Sequence, residues 1–298
     1  MDAETSLGIR FLLPFKAALL QCLDGNQKPV RNGGASGFIR REKDDLFLYT
    51  CWHVVSGYDP NDIRIGTTLP DRSYLQISLQ GAEKRQPGVE VVGGSQIIIL
   101  PLYDPIEDEI GKPRRPLWLQ DDTYIPHADL NGIGLHVPFW HDIVKLRLPS
   151  TVQISELQLI DENFLLRSGA VVGDKCFVVG YPYGFSAMGP SQPTPLVLTR
   201  FIATNLAAFR RRDLLLEKTG APTMSGGPVF IERGGRTLLL GAYTGSIYPD
   251  YRPDDDGEST NDRTTALGTI VDLTSVFAGQ LPLVEKPSRA AQPPPAPR

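Results

Sequence analysis

Cysteine is scarce in this chain: Cys22, Cys51 and Cys176 are the only three in 298 residues, odd in number and far apart. That count excludes a disulfide framework, and the lack of any CxxC spacing excludes the common zinc patterns. Reduced thiols in a cytosolic setting fit, because disulfides persist in oxidising compartments. A surplus of basic charge is missing too. The chain carries 30 Lys and Arg against 34 Asp and Glu, a net charge of -4, so it lacks the field that draws proteins to phosphate backbones or anionic lipid. Neither nucleic acid nor a membrane is an expected partner. Nor is there a long apolar run approaching the roughly 18 uncharged residues of a spanning helix. The opening MDAETSLGIRFLLPFKAALLQCLDG has an acidic lead and is broken by Arg10, Pro14 and Lys16, unlike a signal peptide. The expectation is an unexported, cytoplasmic protein.

What is present is ordinary globular composition, 41% hydrophobic and 21% charged, rather than the signature of disorder. Short β-rich runs recur: LFLYT near 46, QIIIL near 96, DIVKLRL near 142, CFVVGY near 176, LVLTRFIAT near 196, PVFIE near 228 and TLLLGAYTG near 237. Between them lie Gly, Pro, Asp and Asn, the punctuation of all-β sandwiches and barrels, and 29 Gly and 26 Pro leave little room for long helices. Helix is conceivable only near KAALLQCLD, from Lys16, which reads equally as a first strand, and near DLTSVFAGQL, from Asp272. The length suits one large β unit or two subdomains. The boundaries drawn are residues 8–148 and 149–284, with loop insertions at about 60–138, where charges and prolines gather. The tail 285–298 is proline-rich, without core residues, and reads as disordered or extended.

The strongest local signal is Pro222-Thr223-Met224-Ser225-Gly226-Gly227-Pro228-Val229, a serine in a glycine-rich turn that leads into a strand. Glycines beside a nucleophile let backbone amides approach a substrate carbonyl. A serine hydroxyl needs a base, itself held in one tautomer by a third group. Of four histidines, His53 ends the strand Leu46–Thr50 in Cys51-Trp52-His53, whereas His127, His136 and His141 lie in irregular surroundings without metal-site spacing. For the orienting acid, Asp142 heads an alternating strand. Asp129 is the alternative, followed by a glycine-interrupted run that would hold it less firmly.

Thr50-x-x-His53, Asp142-Ile143-Val144 and Ser225-Gly226-Gly227-Pro228 occur in the His, Asp, Ser order of the chymotrypsin-like serine peptidases, which the chain resembles over roughly residues 30–280. Gly173–Gly184 is similar to the segment opening the second barrel in the bacterial trypsin-like and HtrA-type branch, and Gly241–Ser246 to the strand lining the substrate cleft. The resemblance implies an all-β fold of two antiparallel six-stranded β-barrels with the site in the cleft between them. It implies His53, Asp142 and Ser225 as catalytic triad, and the backbone N–H groups of Thr223 and Ser225 as the oxyanion hole. Substrate-binding positions would be Thr219, Gly220 and Ala221 at the pocket floor and Thr244, Gly245 and Ser246 along its wall, with no acid to select Lys or Arg. Two departures stand out. Thr223 replaces a near-invariant family glycine, and since β-branched residues resist positive φ, the expectation is an ordinary β-type backbone there, with the preceding peptide flipped and its N–H out of the hole. Met224 replaces the aspartate that zymogen-activated relatives pair with a newly cut N-terminus.

The function implied is endopeptidase action on polypeptide through an acyl-enzyme, with no metal or organic cofactor, and with a regulatory protein as a conceivable partner. The alternative is a catalytically weak or inactive protease-fold module that binds peptides or proteins. An esterase of the α/β-hydrolase type fits poorly, because no GxSxG elbow surrounds Ser225 and the triad order is wrong. Fewer than 20 residues follow Gln280, so the expectation includes no PDZ-like domain.

Overall fold

The computed structural model describes residues 12–58, 71–86, 89–104, 115–120, 125–127, 135–137, 141–161, 164, 166, 169–186, 193–205, 213–247 and 267–273. Its strands are β1 (Ala18–Leu23), β2 (Pro29–Glu42), β3 (Asp45–Thr50), β4 (Tyr74–Gln86), β5 (Val89–Pro101), β6 (Ile125–His127), β7 (Leu135–Val137) and β8 (Val144–Arg147). They continue as β9 (Leu159–Ile160), β10 (Lys175–Gly180), β11 (Leu196–Asn205), β12 (Asp213–Leu216), β13 (Pro228–Arg233), β14 (Arg236–Ile247) and β15 (Leu267–Asp272). One short helix, α1 (Trp52–Ser56), follows β3, and single 3-10 turns span Leu13–Lys16 and Pro182–Gly184.

The first sheet runs β5-β4-β1-β2-β3-β8, every neighbour antiparallel, with β9 added to β2 in parallel. The second closes as a barrel, β10-β11-β12-β15-β14-β13, and β6 and β7 form a separate hairpin. The architecture is the expected all-β, chymotrypsin-like one in two halves, though the first half is a curled half-barrel rather than a closed six-stranded barrel and only the second closes. The ambiguous segment after Lys16 is strand: Ala18, Leu20 and Cys22 are buried, Leu19 and Gln21 only partly so, the period-2 pattern of a sheet with one face in a core.

The expectation of loop insertions at 60–138 is corrected in part. Within it, β4 and β5 are walls of the first sheet, and Leu75, Ile77, Leu79, Ile98 and Leu100 enter its core beside Leu20, Ile39, Leu48 and Val144. The proposed helix after Asp272 and the tail 285–298 lie outside the described residues, except that Asp272 ends β15 and Leu273 follows it.

Strand β2 turns the corner of the first sheet. Its residues up to Gly37 pair with β1 and those from Phe38 pair with β3. Glycine is required at the bend, because a Cβ on Gly37 would lie 2.8 Å from the Tyr49 carbonyl oxygen. A second core, including Phe38, Tyr49, Ile143, Val179, Tyr181 and Phe230, joins the two sheets, and a third, including Val178, Ile202, Met224, Leu240 and Tyr243, fills the closed barrel. Each such side chain stabilises the fold by about 1.5–3 kcal/mol on burial, and the joining core fixes β3, which delivers His53, against the barrel that delivers Ser225.

Candidate active site

His53 sits in the first turn of α1, where helix N–H groups lack intrahelical partners. Asp142 supplies one. Its Oδ1 accepts the His53 backbone N–H at 2.9 Å, while Oδ2 lies 2.6 Å from Nδ1 of the same residue. One carboxylate thus holds both ends of the residue, fixing the ring and making the distal nitrogen the acceptor in the neutral tautomer. Asp142 is held still by its neighbours, since His141 and Ile143 are buried and Val144 begins β8 against Thr50. The imidazole side chain keeps 28% of its surface exposed and the carboxylate 12%, enough access for the ring and enough shielding to strengthen the charge-assisted bond.

The serine lies in two consecutive tight turns. Met224 N–H donates to Ala221 C=O at 3.1 Å and Gly227 N–H to Met224 C=O at 2.9 Å. In each, the third residue has positive φ, Thr223 at 70° and Gly226 at 86°, which marks type II turns, and Pro222 stands at the second position such turns favour. The expected β-type backbone at Thr223 is therefore corrected: the threonine adopts the left-handed region. Tertiary contacts outweigh its reluctance. Its Oγ1 accepts the Gly184 N–H at 2.7 Å and donates to the Tyr181 carbonyl, and its own carbonyl accepts the Ser36 hydroxyl at 2.8 Å. The Tyr183 N–H holds the Pro222 carbonyl at 2.8 Å. Because C=O and N–H of a trans peptide point opposite ways, this locks the Thr223 N–H away from the Pro182–Gly184 turn.

The N–H groups of Met224, Gly226 and Gly227 are all bonded to backbone carbonyls, whereas those of Thr223 and Ser225 donate to no described residue. Among the described residues, two backbone donors of the serine turn, one of them the serine's own, are thus without a partner. The serine hydroxyl donates to the Thr244 carbonyl at 3.3 Å.

The turn is pressed onto the histidine strand. A Cβ on Gly226 would lie 2.2 Å from the Ser36 carbonyl oxygen and 3.0 Å from Thr50 Cα. Ser36, at the β2 corner, cross-links the halves: its N–H donates to Ser225 C=O at 2.9 Å, its Oγ accepts the Tyr181 N–H at 3.1 Å, and its carbonyl accepts the Thr50 hydroxyl at 2.9 Å.

Cys51 Sγ, a ring nitrogen of His53 and an Asp142 oxygen lie within 4.8 Å of one another, a set with the right chemistry for zinc. The Nδ1 to Oδ2 distance of 2.6 Å is that of a direct hydrogen bond, since two ligands on a tetrahedral zinc at about 2.0–2.1 Å stand about 3.3 Å apart. Burial, with the nearby Asp142 charge, also holds the Cys51 thiol well above its ordinary range, so the thiolate a metal needs is disfavoured. The residues fit a hydrogen-bonded array better than a metal centre.

Thr219, Gly220 and Ser246, assigned to a substrate pocket from sequence, do come together, around Tyr243. Its hydroxyl accepts the Gly220 N–H at 2.8 Å and lies 3.0 Å from Thr219 Oγ1 and 3.2 Å from Ser246 Oγ. Ala221 belongs to the first turn, Thr244 carries the carbonyl facing Ser225, and Gly245 has φ 154°. Among the other candidates, His141 is buried, His127 and His136 lie in β6 and β7, and Asp129 falls outside the described residues. Sequence reasoning missed Ser36, the Tyr181–Gly184 clamp and Tyr243. Their roles rest on contacts across up to 187 positions of chain, and only the small-residue run Gly33–Gly37 hinted at a tightly approached bend.

No family model matches the chain, and no curated protein matches it either. Among solved structures, human heparin binding protein is similar, at 12% identity and a TM-score of 0.45, over 88% of this chain and 87% of that one.

Proposed function

We propose that this chain is a serine endopeptidase that forms an acyl-enzyme through Ser225, His53 and Asp142. The observation that carries the reading is the pair of unpartnered N–H groups at Thr223 and Ser225, between backbone donors that are all satisfied. A buried or half-buried donor is normally paired, and two left open beside a serine suit the oxygen of a tetrahedral intermediate. In the proposed reaction the Ser225 hydroxyl turns from the Thr244 carbonyl to the distal nitrogen of His53, gives up its proton there and attacks the scissile carbonyl. Asp142 steadies the imidazolium through Nδ1. The Thr223 and Ser225 N–H groups receive the oxyanion, and His53 returns the proton to the leaving amine.

An extended polypeptide has a place to bind. Strand β14 pairs with β13 only as far as Ala242 but with β15 as far as Ile247, so among the described residues no strand pairs with 244–246 on the β13 side, the edge at which strand addition is proposed. A substrate N–H donating to the Thr244 carbonyl displaces the serine hydroxyl from it, coupling binding to activation of the nucleophile. The Gly173–Gly184 motif supports placement near the HtrA-type branch, and three buried, unbridged cysteines support a reducing, cytoplasmic compartment. No described helix is long and apolar enough to cross a membrane.

The test is labelling by a fluorophosphonate, with the modified residue located by peptide mass mapping. Modification of Ser225, lost in Ser225→Ala and suppressed in His53→Ala, is the expected result. An unmodified Ser225 in folded protein overturns the proposal in favour of a peptide-binding module.

A further inference from the structure

The residues that should wall a specificity pocket are tied to one another through a single side chain. Thr219 and Gly220 approach the nucleophile turn from one side and Ser246 leaves it on the other. Between them stands Tyr243, 1% exposed, whose hydroxyl takes the Gly220 N–H and meets both the Thr219 and Ser246 hydroxyls. The two hydroxyls also meet each other. The ring fills the space as well as bridging it: a Cβ on Gly220 would lie 2.8 Å from Tyr243 Cζ and 3.0 Å from its Cε1. The Tyr243 backbone is anchored to the serine turn itself, its carbonyl accepting the Gly226 N–H at 2.7 Å and its N–H donating to Gly227 C=O at 2.9 Å. The ring therefore springs from a strand bonded to the serine turn and is buried in the core of the closed barrel.

We infer that Tyr243 is the specificity-determining residue of this site, a built-in plug that admits only small side chains (Gly, Ala, Ser) immediately before the cleaved bond. The inference rests on the peptidase reading and narrows its substrate class. A phenol with three partners in a closed polar ring resists displacement by an incoming apolar side chain, because the half-buried Gly220 N–H and two hydroxyls would lose their partner to a group that cannot hydrogen-bond. Large side chains are thus refused sterically and by desolvation together. The absence of an acid at the floor, read from Thr219, only excludes a basic preference; the tyrosine sets the depth.

The experiment uses the full chain with N-acyl peptide thioesters identical except for Gly, Ala, Val, Leu or Phe before the scissile bond. Wild type is expected to favour Ala over Phe in kcat/KM by at least about 100-fold, the upper range of discrimination by apolar contacts alone. Tyr243→Val, which suits a strand and removes the ring, should reverse that order. Tyr243→Phe keeps the ring but loses the three hydroxyl contacts that hold it, so it should relax the preference partway toward larger side chains; if the valine variant does not fold, an unaltered profile in the phenylalanine variant overturns the inference. Wild type hydrolysing the Phe and Ala substrates equally overturns the inference, as does a folded Tyr243→Val with an unaltered profile. Fluorophosphonate labelling run in parallel separates the two ideas. Labelling with a broad profile refutes the plug alone, whereas no labelling removes the peptidase reading and the plug with it.

Discussion

Thr223 concentrates the energetics of the site in one residue. A non-glycine residue in the left-handed region costs on the order of 1–3 kcal/mol, and here the Oγ1 bonds to Gly184 N–H and Tyr181 C=O offset it. Thr223→Gly removes strain and clamp together, so hydrolysis of an activated ester at matched Ser225 labelling should stay level or fall. Acceleration of the glycine variant would show that the Thr223 N–H does not serve the hole. Thr223→Val keeps the branched Cβ and loses both bonds; it should cost about 1–3 kcal/mol in stability, read by urea titration, and slow the ester further. Gly226 permits less latitude. With φ of 86° and backbone oxygen 2.2 Å from any Cβ, Gly226→Ala should destabilise the fold by more than about 3 kcal/mol, since strain and overpacking combine.

At the scale of elements, Asp142, two residues before β8, grips His53 in α1, and the strand end rather than the helix supplies the rigidity. Asp142→Asn retains an acceptor for the His53 N–H and should leave the thermal midpoint within a few degrees of wild type. The amide favours the wrong imidazole tautomer and cannot balance an imidazolium, so kcat should fall by about 10⁴-fold, as when the orienting aspartate of a chymotrypsin-like triad is so changed. A mild loss would transfer the orienting role to another carboxylate, with Asp129 the first to try.

For the whole molecule, Lys16 is a pH-sensitive joint. It is 4% exposed, its Nζ donates to the Leu159 carbonyl at 2.6 Å and the Glu156 carbonyl at 3.3 Å, and it lies 4.7 Å from the Phe164 ring centroid. Burial lowers its pKa from 10.5 to about 8, against the opposing pull of Asp161 and Glu156. Below pH 8 folded and unfolded chains both hold the proton and no gradient arises. Between about 8 and 10.5 the unfolded chain binds more protons, so this residue's contribution to stability rises with pH. At about 1.4 kcal/mol per pH unit, unfolding of wild type relative to Lys16→Met should shift in favour of wild type by up to about 3 kcal/mol over that window. The three cysteines are all buried, and burial raises each thiol's pKa, that of Cys176 to about 12. Thiol titration should find none reactive in the native protein and three after denaturation.

The sequence by itself determined the β-rich class and put His53, Asp142 and Ser225 forward as candidates, because each depends on residues close together in the chain: apolar alternation, turn punctuation, a serine among glycines; the two-part organisation was an expectation drawn from the resemblance of those motifs. The alternation Leu75, Ile77, Leu79 was equally local and was obscured by the prolines and charges around it, which is why β4 and β5 read as insertion. Only the tertiary structure decided the backbone at Thr223, where intrinsic preference pointed the other way and bonds from Gly184 and to Tyr181 outweighed it. It alone brought Ser36 to the serine turn and the Tyr243 hydroxyl to Thr219, Gly220 and Ser246. The physical reason is the same in each case: a local conformational bias is worth about 1–2 kcal/mol, and a few specific hydrogen bonds made between segments distant in the sequence exceed it.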